Sequence, residues 1–149
     1  MSQICIISFN LDENKQGSLK ARLTDHAKES GFGVYFGEPM PFSNDSTFHF
    51  DLSDDFDYPN CEKLLAFRNA ETYDPEIRPQ RERIRYICEA VSLCMDCTRE
   101  LRLYTSEDSG AMPEEYQIVL TDEKSLPDAL EKNYDQLGFV RTVCFIVTR

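Results

Sequence analysis

The sequence predicts an α/β fold, with α+β as the alternative, in which a single sheet of about five or six strands is packed by roughly three or four helices. Apolar runs at residues 3–9 and 143–147 are typical of strands buried on both faces, so both strands are expected to be central. Segments with helical periodicity lie between them. The 149 residues match one ordinary domain and contain no repeat or linker, which predicts a single domain over residues 1–149.

The expected helices rest on apolar residues three or four positions apart and on capping residues. The first is expected between Ser18, as its N-cap, and Gly31, as a left-handed stop. The clearest helix has Pro79 in its first turn. The last is expected to open on a capping box at Ser125 and to end at Gly138. Their apolar positions are Leu19, Leu23 and Ala27; Ile84, Cys88, Val91 and Met95; and Leu126, Leu130, Tyr134 and Leu137.

Shorter segments between the two terminal strands complete the expected order. Alternation in one of them places Phe48, Phe50 and Leu52 toward the core, and His49 and Asp51 on the opposite side. A short helix starting from an asparagine N-cap is also expected. The strand segments are residues 34–36, 47–52, 101–104 and 116–120, and the short helix is residues 60–70.

Acidic residues are concentrated in two parts of the chain. The protein has 27 Asp and Glu against 16 Lys and Arg, a formal net charge of −11. Residues 29–62 (the first acidic stretch) and 103–123 (the second acidic stretch) contain no Lys or Arg, and elsewhere 13 acids stand against all 16 bases. The first holds Glu29, Glu38, Asp45, Asp51, Asp54, Asp55, Asp57 and Glu62. The second holds Glu107, Asp108, Glu114, Glu115, Asp122 and Glu123.

This charge distribution predicts a cationic protein partner, because an acidic surface repels nucleic acid and anionic membranes. Neither nucleic acid nor a membrane is expected as a partner. The sequence contains no run of about 18 apolar residues, the length that a membrane-spanning helix needs. The sequence shows no basic leader, and several of its six cysteines lie in core-like runs, so a cytoplasmic protein with reduced thiols is expected. No cofactor is expected.

Residues 51–58 combine carboxylates with two aromatic side chains. Phe56 and Tyr58, flanked by charge, resemble an apolar anchor inside an electrostatic rim, which protein interfaces favour. The segment lacks the Gly and the spacing of an EF-hand calcium loop, and a solvated acidic loop is the alternative interpretation. The residues expected to bind the partner are Asp51, Asp54, Asp55, Phe56, Asp57 and Tyr58, together with Glu107, Asp108, Glu114 and Glu115.

A metal-dependent function is the alternative. Cys94 and Cys97 form a single CxxC at the end of a helical pattern, where the helix dipole disfavours a thiolate and hence redox chemistry. Zinc needs four ligands, and a second pair at finger-like spacing is missing, so Cys61 or a histidine would have to complete the site. The alternative function is therefore a small zinc-binding regulator or a metal-dependent hydrolase. Its metal would be held by Cys88 with the CxxC, or by the Asp cluster.

Residues suited to catalysis are few, and the chain is expected not to be an enzyme. His49, near Asp51, is a candidate base, although a half-exposed strand histidine is the commoner case, and His26 is expected to be a surface or boundary residue. No GxSxG, HExxH, GxGxxG or Walker pattern occurs. One basic cluster is interpreted as pairing with the acidic stretches, with nucleic-acid binding as the alternative. It consists of Arg78, Arg81, Arg83 and Arg85.

In size, acidity, cytosolic character and α/β layout over all 149 residues, the chain resembles bacterial toxin-immunity proteins, such as those that protect cells against contact-dependent growth inhibition toxins. Many of these toxins are nucleases. The grouping has no shared motif, so it assigns no residue a role. The resemblance implies an inhibitor whose carboxylates pair with the toxin's phosphate-binding Lys and Arg and so occlude its active site.

Overall fold

The computed structural model describes residues 3–37, 46–52, 78–107, 116–135, 138–139 and 142–149. Within these residues the chain forms seven strands and three helices, an α/β fold as predicted. The expected helix over residues 60–70 lies outside them, and the expected strand over 34–36 is only an isolated bridge between Tyr35 and Asp51. The elements are β1 (Gln3–Phe9), α1 (Glu13–Ser30), β2 (Phe48–Asp51), α2 (Arg78–Met95), β3 (Glu100–Glu107), β4 (Gln117–Asp122), α3 (Leu126–Lys132), β5 (Tyr134–Asp135), β6 (Gly138–Phe139) and β7 (Val143–Thr148).

Five strands form one mixed sheet in the order β2-β1-β3-β7-β4. Neighbouring strands are antiparallel except β4 and β7, which are parallel. Both β1 and β7 have a neighbour on each side, which confirms that the two apolar strands are internal. The short strands β5 and β6 pair with each other in a separate two-stranded sheet. The edges of the main sheet are therefore β2 and β4.

The three helices pack against one face of this sheet, which we call the helical face. Alternate strand residues such as Ile7, Phe50 and Leu103 join the buried helix residues in one core. The other face, which we call the second face, carries a smaller buried cluster of Ile6, Tyr104 and Cys144. Since burial of one large apolar side chain stabilises the fold by about 1.5–3 kcal/mol, the core on the helical face supplies most of the hydrophobic stabilisation.

The central helix α2 contacts both α1 and α3. Its predicted apolar positions Ile84, Val91 and Met95 are buried, whereas Cys88 is only half-buried. The helix also buries Tyr86 and Ile87, among other side chains, because neighbours surround more than one of its faces. No helix in the described ranges is long and apolar enough to cross a membrane.

Helix α1 begins at Glu13 rather than after Ser18, so the predicted N-cap is wrong. The N-cap is Asp12, whose carbonyl accepts the Lys15 N–H at 2.9 Å. The Gln16 side-chain amide donates to the carbonyls of Leu11 and Thr47, at 3.0 and 3.3 Å, and so ties the helix start to the segment before β2. At the other end Gly31 has φ 75° and is the left-handed stop, as predicted.

Helix α3 ends at Lys132, well before the predicted stop at Gly138, which instead lies in β6. The chain leaves the helix at Asn133, whose buried side-chain amide donates to the Thr105 hydroxyl at 3.3 Å. Tyr134 then pairs with Phe139 in the β5–β6 sheet and so does not extend the helix. The other predicted apolar position, Leu137, lies outside the described residues.

Ser125 is the N-cap of α3, as expected, but its side chain makes no capping hydrogen bond. The bond at this corner runs the other way, because the Ser125 N–H donates to the Asp122 carboxylate at 2.8 Å. This bond holds the pKa of Asp122 below its usual value. The capping-box prediction is therefore right in position and wrong in mechanism.

Candidate functional site

Most of the residues expected to bind a partner lie outside the described part of the chain. Asp51 and Glu107 are the two exceptions. Asp51 is half-buried at the end of β2, and its backbone exchanges two 2.9 Å hydrogen bonds with Tyr35. Glu107 is the last residue of β3. The residues outside the described ranges are Asp54, Asp55, Phe56, Asp57, Tyr58, Asp108, Glu114 and Glu115.

The two acidic stretches each contribute to an edge strand of the sheet, and these two edge strands are far apart. Asp51 of the first stretch belongs to β2, whereas the second stretch runs through β4. These strands are the opposite edges of the five-stranded sheet, four strand spacings or about 19 Å apart. In the described residues Asp51 and β4 therefore lie at separate edges, whereas residues 103–107 of the second stretch belong to the central strand β3.

Strand β4 carries exposed apolar side chains. The exposed fraction is 58% for Ile118 and 78% for Leu120, and 39% for Tyr116 immediately before the strand. The alternate residues Val119 and Thr121 are half-buried on the helical face. The more apolar side of the strand thus lies on the second face, away from the helices. The sequence did not indicate that these side chains are exposed.

The outer backbone of β4 is open to another strand. Gln117 and Glu123 donate their N–H groups to Thr142 and Thr148, at 3.2 and 2.8 Å, so the odd-numbered residues bond to the β7 side. Because backbone groups alternate direction along a strand, the N–H and C=O of Ile118 and Leu120 point away from β7. No other described strand lies on that side.

A groove of about 650 Å³ runs beside β4 on the helical face, between the strand and α3. Its walls combine apolar side chains such as Val119 and Phe145 with Asp128 and Lys132 of α3. We call the surface formed by Tyr116, Ile118, Leu120 and their outward backbone the β4 edge.

No protein-family model, curated protein or solved structure matches the chain. The β4 edge and the charge around it are the features that indicate a function.

An ion-pair cluster holds the C-terminal end of β4. Arg149 donates two hydrogen bonds to the Glu123 carboxylate, at 2.8 and 3.2 Å, and one to Asp96 at 3.1 Å. Arg22 also reaches Asp96, at 3.4 Å. Hydrogen bonding to Arg149 holds the pKa of both carboxyls below their usual values. Glu123, although it belongs to the second acidic stretch, is therefore paired inside the protein.

The second face holds a serine and a histidine that are buried without hydrogen bonds. Ser8 lies opposite His49 of β2, and Arg102 of β3 lies on its other side. In the part of the chain that the structure describes, neither the Ser8 hydroxyl nor either ring nitrogen of His49 has a partner, and all three atoms are shielded from solvent. A histidine activates a neighbouring serine through a hydrogen bond to its hydroxyl, and no such bond joins Ser8 and His49.

Replacing Ser8 with alanine is expected to raise the free energy of unfolding by about 1 kcal/mol, because the buried hydroxyl loses its hydration without gaining a hydrogen bond. Ser106→Ala is the matched control: Ser106 is also buried, but its hydroxyl bonds to that of Thr142 at 2.9 Å. This control is expected to lower the free energy by about 1 kcal/mol. Urea unfolding measures both, and equal destabilisation by the two substitutions would contradict the prediction.

The CxxC lies at the C-terminal end of α2, as expected. The buried thiol of Cys94 has a pKa raised above its usual value by desolvation, and desolvation raises that of Cys88 to about 12. Cys5, Cys88, Cys94, Cys97 and Cys144 are all free thiols. Across the described ranges, which exclude Cys61, no group of three or more His, Cys, Asp or Glu is placed to hold a metal ion.

The predicted basic cluster is divided between the interior and the surface. Arg83 is 3% exposed and donates from Nη2 to the Leu52 carbonyl at 3.1 Å. Arg85 pairs instead with Glu89, one helical turn later, at 2.9 Å. His26 is half-buried at the boundary between α1 and α2, with its ring stacked on Tyr86 at 5.1 Å, as expected for a boundary residue.

Proposed function

We propose that this chain is an inhibitor of the immunity type, which binds a cationic toxin, a nuclease in the simplest case, and occludes its active site with an acidic surface. The inhibitor acts by binding alone and needs no cofactor. Its carboxylates replace the phosphates that the toxin's Lys and Arg would otherwise hold, since Arg and Lys bind both groups through charge-assisted hydrogen bonds.

The observation that carries this proposal is the coincidence of acid and exposed apolar surface on β4. Three of the four large apolar side chains that are exposed in the described ranges are Tyr116, Ile118 and Leu120. All three lie in the second acidic stretch, which contains six acids and no base. Interfaces combine an apolar centre with a polar rim, and an exposed apolar patch marks a binding surface.

The acids near this patch also support the proposal. Glu114 and Glu115 directly precede Tyr116 in the chain, whereas Asp122 and Glu123 at the other end of β4 have partners within the protein. We therefore assign the attraction of the partner to the acids that precede the strand in the chain. This favours the second acidic stretch over the first as the contact.

The test is binding to the toxin encoded beside the gene, together with protection of cells that express it. Neutralising Glu107, Asp108, Glu114 and Glu115 to Gln or Asn is expected to weaken binding about 10- to 100-fold at low salt. Changing Asp51, Asp54, Asp55 and Asp57 to Asn alters net charge equally, so it is the matched control and is expected to weaken binding less. Failure of the wild-type protein to bind or protect would overturn the proposal.

A further inference from the structure

In the part of the chain that the structure describes, the β4 edge shows none of the features that normally keep a sheet edge from pairing. Natural edge strands are protected by Lys, Pro, bulges or a covering element. The six residues of β4, QIVLTD, contain neither Lys nor Pro. Ile118 and Leu120 are exposed, and none of the other described residues covers them. An unprotected apolar edge invites pairing with another strand.

The surroundings of β4 can receive the side chains of an added strand on both faces. Successive residues of a strand point to opposite faces of the sheet. On one face they would lie beside Ile118 and Leu120, and on the other they would enter the groove along α3. This combination of open backbone and side-chain pocket is what strand-addition sites use for affinity and for selectivity, respectively.

We propose that the β4 edge binds an extended, basic segment of the partner protein, which adds to the sheet as a sixth strand. This inference rests on the proposed function, because it specifies how the cationic partner is held. The segment has β-branched or aromatic residues beside Ile118 and Leu120, where cross-strand apolar pairs are favourable. Lys or Arg at the remaining positions complement Asp128 in the groove and the net negative charge of the chain.

Charge argues for a partner segment rather than a second copy of this chain. Each copy carries a formal net charge of −11, so two copies repel each other. Pairing β4 with β4 would also bring two acidic stretches together, each without a single Lys or Arg over residues 103–123. A basic segment turns the same charge into attraction.

The test selects peptides of about 10 residues, the upper range of natural strands, from a random displayed library against the full chain. Enriched peptides are expected to alternate β-branched or aromatic residues with Lys or Arg. Leu120→Pro removes one outward N–H and spares the β7 side, so it is expected to weaken binding at least about tenfold. Leu120→Thr keeps that N–H and is the matched control, with a smaller loss.

Hydrogen exchange keeps the test valid if Leu120→Pro does not fold. In the wild-type chain, selected peptides are expected to slow exchange of the Ile118 and Leu120 amides at least about tenfold. No enrichment, or peptides that leave these amides unprotected, would overturn the inference. So would a wild-type dimer that Leu120→Pro dissociates. If the toxin binds and Leu120→Pro leaves its affinity unchanged, strand addition fails while the proposed function stands.

Discussion

Replacing Tyr86 with alanine is expected to lower the free energy of unfolding by about 3–5 kcal/mol, as for other large aromatic side chains removed from a core. The Tyr86 ring is 2% exposed and stacks on Phe32 at 4.7 Å and on His26 at 5.1 Å. It therefore joins the loop after α1 to the centre of α2. Since domains are stable by only about 5–15 kcal/mol, this one substitution removes a large share of the total.

Tyr86→Phe separates the hydrogen bond from the packing. The Tyr86 hydroxyl donates to the Gly33 carbonyl at 2.9 Å. Phenylalanine keeps the stacked ring and loses this bond, so a loss of about 1–2 kcal/mol is expected. Urea unfolding followed by circular dichroism measures both variants. If Tyr86→Ala costs no more than Tyr86→Phe, the ring packing contributes nothing and the prediction is wrong.

Association with the proposed cationic partner is expected to slow by about 10- to 1000-fold as salt rises from roughly 0.01 to 1 M, because the Debye length falls from about 30 to 3 Å. The physical reason is the net charge of −11 and its concentration in two stretches. The dissociation rate should change far less, since it reflects contacts that are already formed. Stopped-flow mixing at several salt concentrations gives both rates.

A variant with the four neutralised carboxylates of the second stretch provides the control for this salt effect. Its association rate should depend less steeply on salt, while its dissociation rate should stay closer to that of the wild-type protein. An association rate that is independent of salt in the wild-type protein would show that charge does not guide the encounter.

The internal strands were predictable because their signal is local. In β1, Cys5 and Ile7 face the helices while Ile6 faces the other side, so successive residues of this strand are apolar because both of its faces are buried. Leu19, Leu23 and Ala27 of α1 were predictable in the same way. Gly31 was predictable because helices commonly end at a residue in the left-handed conformation, which glycine adopts readily.

The errors occurred where contacts distant in sequence override local preference. The periodicity around Tyr134 continues that of α3, but Asn133 bonds to Thr105 on β3 and the chain turns away. Similarly, nothing local marks Tyr86 as a core residue, because its burial depends on α1 packing beside it. Such pairings between distant segments are not encoded in a spacing pattern.

The candidate site shows the same limit. The strand at residues 116–120 was predicted, and its acidic surroundings were recognised, yet Ile118 and Leu120 were not identified as surface residues. Their exposure follows from the position of β4 outside β7, which the parallel pairing sets. Composition could locate the acidic stretch, but only strand order shows which side of it is open.

The strand order also means that the order in which strands are synthesised differs from the order in which they can join the sheet. A ribosome completes β4 before β7, yet β7 is the strand that joins β4 to the rest of the sheet. Among the described strands, β7 is the neighbour that joins β4 to the sheet, so β4 has no strand to pair with until β7 is in place. Any state in which β7 is unpaired therefore leaves the apolar residues of β4 open to other chains.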